Sequence, residues 1–240
     1  MRDPYLYEDV DVLVNLANIK DSKKLREFEG SMAECAISSL YKSKPKRFDV
    51  ELLQSIHRDI FGQIYDWAGE FRTIPIAKSE EVMGGDTVRY SMPGEIAKHL
   101  KEIFAQIKTV KRTGDNDDDV VFRLVRIIAR IWHIHPFREG NTRTTVIFAV
   151  LWARHLGFDV DHALLKENAA YVRNALVWGS QGIYSKFEYL DTIFRDAILH
   201  IDDEVEPQKQ VQGKYEKIGD YHVKDYQEQP HRYLEEQKKK

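Results

Sequence analysis

Residues 123–152 read RLVRIIARIWHIHPFREGNTRTTVIFAVLW, two strongly apolar stretches separated by a polar loop. The first stretch is apolar around most of a helical circumference, and its arginines mark a single polar strip. Pro136 cannot continue a helix, so we expect the first helix to end near His135 and the second to begin at about Thr142. The pattern predicts two deeply buried helices joined by a tight turn, with the His135 imidazole facing that turn.

The rest of the chain also predicts a mainly α-helical fold, because apolar residues recur at helical spacing. The expected helices run from about 49 to 69, 93 to 107, 115 to 135, 142 to 155, 161 to 177 and 186 to 201. The segment 70–92 differs: Phe71, Ile74 and Ile76 indicate a short extended stretch, and Gly84 with Gly85 indicates a turn. We expect a β-hairpin there that stands off the helical body.

Composition excludes several classes of protein. The chain has 240 residues, 42% of them hydrophobic, which is enough apolar material for one full core. Its 36 basic and 39 acidic side chains give a net charge of -3, so no global basic field indicates nucleic acid binding. The N-terminus does not resemble a leader and no apolar run could span a bilayer, so we expect a protein folded in the cytosol. The single cysteine, Cys35, fits a reducing compartment.

The C-terminal part changes character after Ile201. Residues 202–240 are charged, rich in Gln and poor in aliphatic side chains, with tyrosines at 215, 221, 226 and 233. This composition is typical of a solvated linker, but it also fits an interaction tail or the start of a small additional domain. The sequence leaves these interpretations open.

The loop between the two buried helices carries side chains suited to phosphate chemistry. Backbone N–H groups converge at the start of the second helix and favour an anion there, and Gly140 would let the backbone approach a phosphate. Arg143 can supply a forked contact to phosphate oxygens. Glu139 beside phosphates would need a bridging cation, and Mg²⁺ is commonly held by one carboxylate plus phosphates. His135, with a reference pKa of about 6.5, can take a proton from a hydroxyl. Singly, each residue has an ordinary structural explanation; together they predict a catalytic loop.

The segment HPFREGNTR, residues 135–143, resembles the signature of the Fic family, which reads His-Pro-Phe-x-Asp/Glu-Gly-Asn-Gly-Arg followed by x-x-Arg. WAGEFRTIPIAK at 67–78 resembles the flap segment of that family, and the similarity extends over about residues 5–200. The resemblance implies a Fic-type helical bundle with a β-hairpin flap, in residues 1–201 with the flap near 70–92. A polar C-terminal extension, 202–240, would follow.

The resemblance also implies an activity, the transfer of AMP from ATP to a Tyr, Ser or Thr hydroxyl of a target protein. His135 would deprotonate the target, Glu139 would hold Mg²⁺ against the phosphates, and Arg143 would bind phosphate. Phe137 would anchor the loop in the core. The anion hole would be formed by the backbone amides of Gly140, Asn141 and Thr142.

Two further elements complete the implied site. Tyr171, in a later helix, would contact the nucleotide base. The flap would align the target by strand addition at its edge. Its contributing residues would be Arg72, Thr73, Ile74, Pro75, Ile76 and Lys78.

Two positions depart from the family pattern. Thr142 replaces the usual Gly, and Val146 replaces the second Arg that should grip the terminal phosphates. Relatives that transfer a phosphoryl group carry Lys at the position of Thr142. Three functions therefore stay open: an adenylyltransferase, a Fic-type phosphotransferase, and a degenerate Fic module that binds nucleotide or a partner without turnover.

Regulation and location are expectations from the same resemblance. The family's inhibitory helix has the pattern Ser/Thr-x-x-x-Glu-Gly/Asn, which this chain lacks. We therefore expect no self-inhibition by such a helix; if the protein is restrained at all, the restraint would come from a separate inhibitory protein or from the C-terminal extension. Members of the family act as toxins in the producing bacterium or as effectors secreted into a host cell, and the sequence leaves both locations open.

Overall fold

The structure is a computed structural model, and it describes residues 3–200, 213–219 and 221–223. Within these residues the helices are α1 Ser22–Leu40, α2 Val50–Phe61, α3 Ile96–Ile107, α4 Asp117–Ile134, α5 Asn141–His155, α6 His162–Glu167, α7 Ala169–Trp178 and α8 Glu188–Leu199. The strands are β1 Ala77–Ser79, β2 Thr87–Arg89, β3 Lys217–Ile218 and β4 Tyr221–His222. The prediction of a mainly helical fold is confirmed.

Helix α4 lies at the centre of the bundle, in contact with α3, α5, α7 and α8. Apart from Phe122, which is 53% exposed, its apolar side chains are almost completely buried, as the sequence predicted from a nearly continuous apolar circumference. Burying one such side chain contributes about 1.5 to 3 kcal/mol relative to exposure. Helices α4 and α5 are consequently a rigid frame, and the loop that joins them is held at both ends.

Three helix predictions need correction. Helix α1 was not predicted, because its inward stripe is only one residue wide and contains a charged residue, Glu29. Helix α2 ends at Phe61, not near Gly69, and residues 62–69 form turns. The predicted helix 161–177 is two helices that meet at Asn168, whose side-chain Nδ2 donates to the Leu164 carbonyl at 2.9 Å.

The predicted hairpin is present, with β1 antiparallel to β2 and Lys78 opposite Val88. Its first strand begins at Ala77, after the residues that were expected to form it. The expectation that it stands off the body is wrong, because Val82 and Val88 are buried in the common core. We call residues 70–92 the flap.

Part of the C-terminal segment packs on the helical body. Strands β3 and β4 form a second antiparallel hairpin, and Ile218 is buried. The rings of Tyr215 and Tyr171 meet edge to face at 5.1 Å. Of the four tyrosines in the C-terminal part, those at 226 and 233 lie outside the described residues. None of the described helices is both long enough and apolar enough to cross a membrane.

Candidate active site

The loop 135–140 is bracketed by two residues in the left-handed region, His135 at φ 52° and Gly140 at φ 76°. The side chain of Asn141 closes it: Oδ1 accepts from the Phe137 N–H at 2.9 Å and Nδ2 donates to the Phe137 carbonyl at 2.8 Å. Phe137 is buried and stacks on the His57 ring at 3.9 Å. The loop is thus a fixed turn, anchored in the core by one ring and closed by one amide.

His135 lies at the end of α4 with only 2% of its surface exposed. Its Nδ1 lies 3.2 Å from the Trp132 carbonyl oxygen, which can only accept, so Nδ1 carries the hydrogen. Nε2 is therefore the atom that can take a proton. The ring of Tyr90, at the end of the flap, stacks on the imidazole at 3.9 Å, and the Trp132 indole meets it edge to face at 5.3 Å.

Glu139 is held through both its main chain and its side chain. Its carbonyl accepts from Nε2 of His57 at 3.0 Å, and its Oε1 accepts from the Gly140 N–H at 2.9 Å. Nδ1 of His57 in turn accepts from the Gly69 N–H at 2.8 Å, so the imidazole is neutral and of one tautomer. Burial lowers the pKa of His57 to about 4. Sequence reasoning missed this residue, because a histidine on the apolar face of a helix gives no sign of what it touches.

Gly140 has a different role from the predicted one. A Cβ at this position would lie 2.2 Å from the Phe61 ring, so glycine is required both by the positive φ and by the packing against Phe61. Its N–H, expected to face an anion, donates to Glu139. In this structure the Glu139 carboxylate takes the hydrogen bond that was predicted for an anion.

The next two amides remain candidates for an anion hole. The backbone N–H groups of Asn141 and Thr142 have no acceptor among residues 3–200, 213–219 and 221–223. They open α5, where the helix dipole adds partial positive charge. The Thr142 hydroxyl is also engaged, since its Oγ1 accepts from the Trp132 indole N–H at 2.9 Å.

Arg143 was predicted to bind phosphate, and the structure places it against an acidic side chain instead. Its Nη2 lies 2.5 Å from Oε1 of Glu29 on α1, and its guanidinium lies 4.7 Å from the centre of the Phe61 ring. Oε2 of Glu29 accepts from the Tyr65 hydroxyl at 3.1 Å. Burial raises the pKa of Glu29, and the Arg143 charge opposes that effect. Glu29 precedes a glycine, but Leu25 stands where the inhibitory pattern has Ser or Thr.

Arg138, at the variable position of the motif, is tied to the N-terminal segment. Its Nε and Nη2 donate to Oδ2 of Asp3 at 2.9 and 2.6 Å, and both side chains are almost fully buried. Sequence reasoning missed this pair as well, since 135 residues separate its members. The N-terminal segment therefore holds the loop through Arg138, in addition to the contact that α1 makes with Arg143.

The flap is fastened to the end of α4 by Arg72, which is buried. Its guanidinium donates to the carbonyls of His135 at 2.7 Å and Ile74 at 2.6 Å, and also to those of Ser91 and Ile134. Arg72 was predicted to face a target protein; its side chain instead joins both ends of the flap to the catalytic loop.

The other flap residues alternate between the two faces. Ile74 and Ile76 are buried, so their side chains cannot contact a target, whereas Thr73 is exposed and Pro75 is half-buried. Strands β1 and β2 form a sheet of two strands in the described part of the chain, so β1 keeps an edge to which a further strand could be added.

Two charged residues of the flap, Lys78 and Glu80, interact with charges on other elements. Burial lowers the pKa of Lys78, with the Glu139 carboxylate acting in the opposite direction. Glu80 is buried and pairs with Arg173 of α7 at 2.7 Å. The flap is therefore joined to α7 by this ion pair.

Tyr171 packs against the C-terminal segment. It is buried against Tyr215, and burial raises its pKa. A cavity of about 410 Å³ lies further along α7, between the flap and the C-terminal hairpin. Its walls include Trp178, Tyr189, Tyr221 and Lys186, with the Lys186 ammonium 4.3 Å from the Trp178 ring centre.

In the part of the chain that the structure describes, no group of three or more His, Cys, Asp or Glu side chains is placed to hold a metal ion. A magnesium ion held by one carboxylate and by substrate phosphates needs no such cluster. Glu139 fits that requirement, because a carboxylate has about four lone-pair sites and can accept the Gly140 N–H while ligating a cation.

Comparisons with known proteins place the loop in a family. The model of the Fic/DOC family matches residues 47–153. The chain is 30% identical over 169 residues to the probable protein adenylyltransferase y4lH of Sinorhizobium fredii, an alignment that covers 69% of this chain and 83% of y4lH. It is 29% identical over 161 residues to the protein adenylyltransferase VbhT of Bartonella schoenbuchensis, covering 66% of this chain but only 32% of VbhT.

Solved structures share the same fold. The BepC protein of Bartonella tribocorum, a VirB-translocated effector with bound AMPPNP, superimposes with a TM-score of 0.68 at 22% identity, covering 80% of this chain and 95% of BepC. An N-terminal Fic domain from Bartonella quintana with bound ADP has a TM-score of 0.66 at 23% identity, covering 80% and 93%.

Proposed function

The chain belongs to the Fic/DOC family, and from that premise we propose that it is a protein adenylyltransferase that transfers AMP from ATP to a hydroxyl group of a target protein. The observation that carries the proposal is the loop 135–140. It holds a histidine with Nε2 as its proton-accepting atom beside a helix start whose amides at 141 and 142 have no acceptor among the described residues. Relatives at 30% and 29% identity are named as adenylyltransferases.

In the proposed reaction, Nε2 of His135 takes the proton of the target hydroxyl as its oxygen attacks the α-phosphorus of ATP. The bond from that phosphorus to the oxygen bridging the β-phosphate breaks, and pyrophosphate leaves. The Nδ1–H bond to the Trp132 carbonyl keeps the ring in the required tautomer. The amides of Asn141 and Thr142 would stabilise the charge that develops on the α-phosphate oxygens.

A magnesium ion, when bound, would offset the charge of the phosphates. Glu139 is the residue that would hold it, and its backbone is fixed by His57. Lys78, whose charge interacts with the Glu139 carboxylate, and Arg173, which pairs with Glu80, would add positive charge that the missing arginine at Val146 does not supply.

The nucleotide base would enter the cavity beside α7, where Trp178 takes the role that we expected of Tyr171. A planar base can stack on an aromatic wall, and such stacking contributes about 1 to 3 kcal/mol per base. The target protein would pair with the open edge of β1, next to Thr73 and Pro75. Residues 1–201 would then form the catalytic unit, with the C-terminal extension 202–240 adding one wall of the base site.

A second candidate function is phosphoryl transfer. It is favoured by Thr142, which stands where the family pattern has Gly and where phosphotransferases of the family also depart from it. In that case the nucleotide would bind with its γ-phosphate, not its α-phosphate, at the start of α5.

Regulation and location stay proposals. Val146 removes the arginine that an inhibitory glutamate of the same chain would engage, so if the enzyme is restrained at all, a separate inhibitory protein or the extension that packs on α7 and α8 would do so. The enzyme would act in the bacterial cytoplasm, or in a host cell after secretion, as the effector relatives suggest.

The test uses ATP labelled separately on the α- and γ-phosphates. The full chain is incubated with bacterial or host-cell lysate and Mg²⁺, and labelled proteins are detected after electrophoresis. Label from the α-phosphate supports the proposed function, and label from the γ-phosphate supports phosphoryl transfer. Absence of both labels from every lysate contradicts both and indicates a module that binds without turnover.

A further inference from the structure

We infer that the Thr142 hydroxyl is an additional hydrogen-bond donor to the bound nucleotide, oriented by Trp132, and that it determines how this chain holds the phosphate at the start of α5. The inference rests on the proposed function, because it concerns the phosphate that the proposed site binds. It assigns a specificity-determining role to a residue that departs from the family pattern.

The first step is the hydrogen bond between the two side chains. Trp132 is 1% exposed, and its indole N–H, a donor only, lies 2.9 Å from the Thr142 oxygen. The hydroxyl is therefore the acceptor of this bond. A hydroxyl has one hydrogen of its own, so the Thr142 hydrogen must point away from the indole.

The hydrogen of the Thr142 hydroxyl has no acceptor within α5. Thr142 is the second residue of α5, so a threonine bond back to a helical carbonyl, such as the 3.0 Å bond from Thr144 to Gly140, is not available within α5. No acceptor for the Thr142 hydroxyl is found in residues 3–200, 213–219 or 221–223. The side chain is only half-buried, beside the two amides that have no acceptor there.

Trp132 also links the Thr142 hydroxyl to His135, the proposed general base. The same indole contacts the His135 ring edge to face, at 5.3 Å. The Trp132 side chain therefore orients both the His135 imidazole and the Thr142 hydroxyl. A phosphate bound by the hydroxyl would then lie at a defined position relative to His135. Glycine at position 142 would supply neither the donor nor a partner for the indole.

The test measures ATP, ADP and adenosine binding by titration calorimetry in the presence of Mg²⁺. Thr142→Val keeps the volume and the β-branch but removes the hydroxyl. We expect this variant to lower the affinity for ATP and for ADP about tenfold, which is the effect of losing one hydrogen bond to a charged group. The affinity for adenosine should be unchanged. Thr142→Ser should recover most of the lost affinity. Thr145→Val, the same change at a buried position one turn along α5, is the matched control.

The Trp132→Phe variant separates a phosphate contact from a packing effect. It removes the indole donor but keeps the hydroxyl, so we expect a loss of only about two- to threefold for ATP. Equal losses in Thr142→Val and Trp132→Phe, with adenosine affected as well, would mean that the hydroxyl serves only to satisfy the indole, and would overturn the inference. So would ATP affinity of Thr142→Val equal to that of the parent. A parent chain that binds none of the three ligands would overturn the proposed function itself.

Discussion

At the scale of single residues, the catalytic loop is held by side chains that lie outside the family signature. Each of them contacts a different part of the loop: His57 holds the Glu139 carbonyl, Glu29 pairs with Arg143, Asp3 with Arg138, and Trp132 contacts the ring of His135. These partners fix the positions of the signature residues to which we assign the chemistry.

His57 makes the folded state sensitive to acid. Its pKa of about 4 in the folded chain lies below the reference value of about 6.5, so as pH falls the unfolded chain binds the proton first. The stability that its neutral form provides is fully present above pH 6.5 and is lost as pH falls toward 4. We expect a loss of about 2 kcal/mol between pH 7 and 5, measured by urea unfolding. His57→Gln should be less stable at pH 7 but lose less on acidification; parallel pH profiles of the two proteins would contradict this.

Glu29 carries its charge at a net cost, because burial raises its pKa despite the neighbouring Arg143 charge. Glu29→Gln keeps the shape and removes that charge, so we expect the free energy of unfolding at pH 7 to stay within about 1 kcal/mol of the parent or to rise slightly. Glu34→Gln on the same helix breaks an exposed pair with Lys166 and should change nothing measurable. A loss of more than about 2 kcal/mol in Glu29→Gln, with Glu34→Gln unchanged, would show that the pair with Arg143 outweighs the cost of burial.

At the scale of secondary-structure elements, the flap and the end of α4 form one unit. Arg72 joins carbonyls from both ends of the flap, Ile74 and Ser91, to those of Ile134 and His135. A target strand that pairs with β1 would therefore lie at a fixed distance from His135. Proton transfer from the target hydroxyl to His135 requires such fixed positions.

Arg72→Lys tests this connection. The lysine keeps the charge but has no planar fork, so buried carbonyls lose their donor. We expect faster hydrogen exchange in β1 and β2, a loss of about 2 to 4 kcal/mol in stability, and slower AMP transfer at an unchanged KM for ATP. Arg89→Lys, an exposed position on β2, is the control. Unchanged exchange in the flap of Arg72→Lys would show that the connection is dispensable.

The sequence was sufficient to predict the helices with a strong apolar pattern, but not those with a weak one. Helices α4 and α5 were predicted because their apolar pattern is nearly continuous and Pro136 must interrupt it. Helix α1 was missed because it buries only a thin stripe that includes Glu29, and the split at Asn168 depends on one side-chain hydrogen bond. Partners of the loop such as Asp3 are distant in sequence, and no local pattern pairs them with it.

At the scale of the whole molecule, the C-terminal segment belongs to the packed body as far as it is described. Tyr215 and Lys214 both bond to Asp196 of α8, and Ile218 is buried against α7. The segment also borders the cavity proposed for the nucleotide base, through Ile218 and Tyr221.

Deleting residues 202–240 should therefore affect nucleotide binding more than folding. We expect a decrease of a few degrees in Tm, because few apolar side chains are uncovered. We expect ATP affinity to fall several-fold, because the wall that contains Ile218 and Tyr221 is removed. Affinity for ATP equal to that of the full chain would exclude the segment from the base site, and increased AMP transfer would identify it as a restraint.

We propose above all that the loop 135–140 positions His135, the general base, against a bound nucleotide. The most direct measurement compares the parent chain with His135→Ala in lysate supplied with ATP and Mg²⁺, following intact protein masses while ATP affinity is measured separately. The account predicts that the parent adds the mass of one AMP to a protein, and that the variant binds ATP as tightly but adds none. Modification by His135→Ala at the rate of the parent would contradict it.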